Sequence, residues 1–190
     1  MTHYTGTIPI TPPMTSWESP FPKYFPDPNR EEELRLFLLS HSRPITRTGR
    51  CRPPFLPVDT ALAHALFVGY KARTILRGIP SIEKCLLTES QGIMKINRVA
   101  NAQLPRRISR ILIFSEDIAP RLAIRIERFI LEYHPRIAAL GIPCSADQLC
   151  TILTGNPGDA KVLLAVDKHA ISLILTSLLN RIQHATDTTN

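Results

Sequence analysis

Apolar and polar positions separate most cleanly in this chain between Asp117 and His134, DIAPRLAIRIERFILEYH. At about 100° per residue, Ile118, Leu122, Ala123, Ile126, Phe129, Ile130 and Tyr133 fall within an arc of about 140°. Arg121, Arg125, Arg128 and Glu132 crowd the opposite side within roughly 60°. The period predicts an amphipathic helix with one face for a core and an arginine stripe on the other. Asp117 is its expected N-cap, and Pro120 is confined to the first turn, where a missing N–H costs nothing.

The rest of the chain predicts further helices. Asn29-Arg-Glu-Glu32 reads as a helix start, followed by a short buried stripe of Leu34, Phe37 and Leu38. A second helix is expected from an Asp59 N-cap to Arg77, stopped by a left-handed Gly78 with Pro80 beyond. Ser81–Thr88 reads as a short helix, and Gly92–Val99 is the one stretch with a credible extended reading. Pro105 at a first helical position predicts a helix over 104–114, with Ile108, Ile111 and Leu112 inward and Arg106, Arg107 and Arg110 outward. Pro135–Leu140 adds one turn, stopped by Gly141. Ser145-Ala-Asp-Gln148 is a capping box, and Gly155 ends the helix it starts. Asn156-Pro157 then opens a long helix to about Gln183, apolar on most sides and so the expected centre of the core.

The expected fold class is all-α: a small helical bundle with a proline-rich disordered N-terminal arm. The arm spans residues 1–28, where prolines break helices and ladders alike. Its isolated aromatics Tyr4, Trp17, Phe21, Tyr24 and Phe25 suit it to lie on a partner or fold back over its own domain. Residues 29–57 hold a short helix plus an Arg-rich loop, 58–184 the helical core domain, and 185–190 a frayed tail.

Charge sharpens this picture. The 190 residues carry a net +7, with 17 Arg against 6 Lys. Residues 41–136 alone sum to +10, whereas 1–40 sum to −2 and 137–190 to −1. Arginine offers a planar fork of donors matched to phosphate and carboxylate, so an anionic partner is indicated. Aromatics are only 6% of the chain and are scarce in its basic middle, which argues against sequence-specific reading of single strands.

Several classes are set aside. GxSxG, HExxH and GxGxxG are absent, and Gly155-x-x-Gly158-x-x-Lys161 has the wrong spacing for a phosphate loop, so no enzymatic activity is expected. Cys51, Cys85, Cys144 and Cys150 form no CxxC pair and read as free thiols, so no metal and no cofactor is expected. The pair of helices around Gly155 does not suit major-groove reading, because the second is too apolar to reach base edges. With no apolar run near 18 residues and no signal peptide, a cytoplasmic or nuclear protein without a membrane span is expected.

Leu104-Pro105-Arg-Arg-Ile108, followed after eleven residues by Pro120, resembles the minimal F-box pattern of the polerovirus silencing-suppressor proteins. The resemblance implies that Leu104, Pro105, Ile108 and Pro120 contact a ubiquitin-ligase adaptor. A proline-started helix followed by a capped one accounts for the same four residues. Two functions are therefore carried forward. The first is a non-enzymatic protein associating with nucleic acid, RNA before DNA, whose phosphates meet Arg43, Arg47, Arg50, Arg52, Arg106, Arg107, Arg110, Arg121, Arg125 and Arg128. The second is a regulatory factor, such as a viral accessory protein, that holds a protein partner.

Overall fold

The apolar run Ile111–Phe114 lies in a strand, not on a helix face. The protein is described by a computed structural model over residues 14–47, 49–100 and 106–187. In chain order the elements are α1 (Glu31–Ser40), α2 (Thr60–Lys71), β1 (Ile75–Arg77), α3 (Ile79–Ala100), β2 (Arg110–Ser115), α4 (Pro120–Glu132), β3 (Ile137–Ile142), α5 (Ala146–Thr154), β4 (Val162–Ala165) and α6 (Lys168–Asp187). The strands form one mixed sheet in the order β1-β4-β2-β3. β2 and β3 are parallel, with Leu112 beside Ala139, and β4 runs antiparallel to both β2 and β1.

This sheet overturns the expected all-α bundle. The expected helix over 104–114 is β2 in its second half, and the expected turn at Pro135–Leu140 is the start of β3. The expected helix from Pro157 to Gln183 divides into a loop, β4 and α6. The second helix ends at Lys71, and its expected last turns become β1. Gly92–Val99, the candidate extended stretch, lies inside α3. One physical cause runs through these differences. Each strand is only three to six residues long and covered on both faces, so it shows no apolar-polar alternation.

The two faces are nonetheless distinct. Ile111 and Ile113 point into a large core with Leu140, Leu163, Leu62 and Leu66 of α2, and Ile174, Leu175 and Leu178 of α6. Leu112, Phe114, Ala139 and Leu164 point the other way, against Ile82 and Leu86 of α3 and Ile126, Phe129 and Ile130 of α4. The sheet is thus the middle of three layers, with α3 and α4 on one side and α1, α2, α5 and α6 on the other.

The outer edge of β3 is closed by irregular chain. Gly141 N–H donates to Pro54 O at 2.8 Å, and Leu56 N–H donates to Gly141 O at 3.0 Å. Further along, Ala139 N–H donates to Ser16 Oγ at 3.0 Å and Trp17 Nε1–H to Ala139 O at 2.6 Å. These bonds satisfy an edge that would otherwise template pairing with another chain. The second half of the expected disordered arm is therefore structure. Trp17, Phe21 and Phe25 are buried in sequence, ring on ring, with centroids 5.8 and 4.7 Å apart. The first 13 residues of the expected arm lie outside the described residues. Among the described residues, no helix is long and apolar enough to cross a membrane.

Candidate nucleic-acid interface

Because β4 runs against its neighbours, its amino end lies with the carboxyl ends of β1, β2 and β3. The helices α3, α4 and α5 all begin at this pole, each with the positive end of its dipole. In open α/β sheets this is the end where ligands gather. Arg77 and Lys161 line a cleft of about 230 Å³ here, with Gly78 and Leu122. Lys161 Nζ is 3.5 Å from Asp159, and Arg77 Nη1 donates to Cys150 Sγ at 3.4 Å. Sequence reasoning missed both cations, because no helical stripe or arginine cluster marks them.

The loops at this pole are tied together. Asp117 is not the N-cap of α4; that position is Ala119, whose side chain offers no oxygen. The Asp117 carboxylate instead accepts from Ser115 Oγ at 2.6 Å and from Ala146 N–H, the first amide of α5, at 3.0 Å. The Ser115 hydroxyl, then the Ala146 amide, hold its pKa below the ordinary carboxylate value, with the charge of Lys161 adding to them. The capping box on α5 is formed as expected, with Gln148 N–H donating to Ser145 Oγ at 3.2 Å.

The arginine loop of residues 43–52 is joined to α4 through one buried acid. Glu127 is only 5% exposed, and its carboxylate accepts from Cys51 N–H at 3.0 Å and Thr46 Oγ1 at 3.1 Å. The loop is also paired with the N-terminal segment, Met14 N–H donating to Arg50 O at 2.9 Å and Arg52 N–H to Met14 O at 3.1 Å. Loop and helix enclose a cleft of about 530 Å³ lined by Ile45, Thr46, Arg47, Ile118, Pro120, Ala123 and Ile124, with one acid, Glu116, which is paired with Arg43. Ile124 is 60% exposed, a bare apolar side chain beside the arginines. The Cys51 thiol, pushed up to about 12 by burial and by the Glu127 charge, stays protonated and serves as packing.

The ten expected arginines divide accordingly. Arg47, Arg50, Arg52, Arg121 and Arg128 are exposed on the loop and on α4, and among the described residues no acidic side chain lies within ion-pair distance of them. Arg43 is paired with Glu116 and lies 3.8 Å over the Phe55 ring, while Arg125 is paired with Glu83. Arg106, Arg107 and Arg110 do not join this face. Arg110 opens β2 at the opposite pole and donates from Nε to Glu89 at 2.8 Å, and Arg107 donates to Phe21 O at 3.1 Å. Arg106 is exposed and lines a separate cleft with His134. Of the F-box-like residues, Leu104 and Pro105 lie outside the described residues. Ile108 is buried in the larger core and Pro120 opens α4.

Fold and site together define a small α/β protein with a basic face along α4 and the loop packed on it. No family model matches the sequence, and no curated protein does. Among solved structures, a protein of unknown function from Bacillus halodurans C is similar over 64% of this chain and 97% of its own, at 14% identity and a TM-score of 0.38. A likeness that loose says nothing of function.

Proposed function

We propose that this protein binds RNA, in the cytoplasm or nucleus, through the face formed by residues 43–52 and α4. The observation that carries the reading is the Glu127 tie, because it joins two arginine sets that are some seventy residues apart in sequence into one surface. Five arginines without acidic partners supply sequence-tolerant phosphate contacts. The cleft beside them adds what a bare basic patch lacks. Its apolar wall of Ile45, Ile118, Ala123 and Ile124 suits a base that has left its stack, and unstacked bases in loops and bulges are what proteins reach in RNA. A duplex without such a base offers only phosphates.

The test compares a bulged RNA hairpin with a fully paired one across a salt series. Replacing Arg47, Arg121 and Arg128 with Gln keeps the helix, since Gln is nearly as good a helix former. Each phosphate contact removed lowers the slope of log affinity against log salt by about 0.7 to 0.9. Ile124→Glu weakens the bulged hairpin more than the paired one. If the triple variant binds both RNAs like the parent with the same salt slope, this face is a solvated surface and the reading is wrong.

A further inference from the structure

The pole where β2 and β3 begin holds a second cavity, of about 370 Å³, between the N-terminal segment, α3 and the chain entering β2. Its lining is apolar in body, with the Tyr24 ring and Ile93 on its wall and the core residue Ile108 behind them. Tyr24 is 37% exposed, so part of an aromatic face is open, and burial of the rest pushes its phenol up. Two exposed cations, Lys23 and Arg107, line the same cavity together with the half-buried Arg136. Arg107 is steadied by its bond to Phe21 O at 3.1 Å, which leaves most of its fork unused. Among the described residues neither cation has an acidic partner, whereas the neighbouring Arg136 is held by Glu89 at 3.0 Å. Ser109, also in the wall, has a buried hydroxyl with no hydrogen-bond partner among the described residues.

We infer that this cavity binds a nucleoside monophosphate, with the base against Tyr24 and Ile93 and the phosphate between Lys23 and Arg107. The volume lies at the small end of the range for small-molecule sites, roughly 300–1,000 Å³. An aromatic face with aliphatic walls takes a planar ring whatever its edge pattern. Two open cations, one of them a fork, match a dianionic phosphate better than a single carboxylate. None of the arginines of the 43–52 loop or of α4 lines this cavity.

The experiment is calorimetric titration of the full chain with uridine monophosphate, uridine, inorganic phosphate and N-acetyltyrosine. One saturable site is expected for the nucleotide, with the other three ligands weaker by about tenfold or more: uridine lacks the anion, inorganic phosphate lacks the ring, and N-acetyltyrosine offers a single-charge carboxylate in place of the dianion. Lys23→Gln and Arg107→Gln should each weaken the nucleotide by about tenfold while leaving uridine binding and the thermal midpoint unchanged. Arg121→Gln should leave nucleotide binding as it is. Absence of a saturable site for the nucleotide overturns the inference, as does inorganic phosphate or N-acetyltyrosine binding equally well. Loss of nucleotide binding in Arg121→Gln overturns it too, by moving the site to the arginine face. Failure of the RNA titration alone, with nucleotide binding intact, overturns only the RNA reading.

Discussion

Glu127 on α4 accepts the backbone N–H of Cys51 at 3.0 Å, in a setting where both residues are buried. A carboxylate buried in contact with a loop is costly unless its oxygens are bonded, and here the loop supplies the donors, Cys51 N–H and Thr46 Oγ1. Beyond its backbone bonds to Met14, the loop has among the described residues no helix or strand of its own to hold it. Each side therefore depends on the other, and the basic face depends on both.

Glu127→Ala should destabilise the fold by roughly 1–3 kcal/mol, because it takes the acceptor from the buried Cys51 N–H. The loss should be local as well as global. Hydrogen exchange at the Cys51 amide should accelerate more than exchange at Leu112 in the sheet, and RNA affinity should fall with it. Equal protection of Cys51 in parent and variant would show that the loop is held by other means.

Gly141 of β3 lies against Phe55, and a Cβ there would come within 2.5 Å of the ring. Phe55 has little room to yield, since it meets Phe114 edge-on at 5.6 Å and carries Arg43 on its face. Gly141→Ala should cost about 1–3 kcal/mol, the usual penalty for overfilling a packed site. A urea midpoint unchanged from the parent would mean that Phe55 swings aside freely.

Trp17 is the one tryptophan of the chain and is fully buried. Its fluorescence should be blue-shifted and poorly quenched by acrylamide, and both properties should change in step with global unfolding. Trp17→Ala should destabilise by about 3–5 kcal/mol. Emission at the wavelength of exposed indole would contradict the packing of residues 14–25 on the domain.

Asp117 makes stability depend on pH with a definite sign. Its folded pKa is depressed from an ordinary 3.8, first by the Ser115 hydroxyl and next by the Ala146 amide. Its contribution is therefore complete above the unfolded value and is lost as pH falls through the lower folded one. Asp117→Asn should lower the urea midpoint near neutrality, and the gap to the parent should close as acid is added below about pH 4. A gap that stays constant down to pH 2 would remove Asp117 as its source.

Short-range features were legible from the residues alone. Asp59 caps α2 by accepting from Leu62 N–H at 2.8 Å, Ser145 and Gln148 form their capping box, and Gly155 ends α5 with positive φ. Gly78 also takes positive φ, but between β1 and α3 instead of at the end of α2, which stops at Lys71. The amphipathic period of α4 gave its buried face, Ala123, Ile126, Phe129 and Ile130, and left Arg121, Arg125 and Arg128 outside. Caps, left-handed stops and a 3.6-residue period are each set within a few residues, so no distant contact is needed to read them.

The sheet was decided by tertiary structure. Ile111–Phe114 and Val162–Ala165 are short apolar runs that a buried helix and a doubly covered strand share equally, and only the helices packed on both faces choose between them. Once β2 is a strand, Arg110 points to Glu89 at the far pole instead of joining Arg121 on a neighbouring helix. The grouping of the arginines likewise waits on Glu127, an acid on the polar-to-apolar border of α4 whose role depends on a loop more than seventy residues earlier. Local sequence set the exposed arginines of α4, while long-range packing left Arg110 half-buried and set which of the others share a surface.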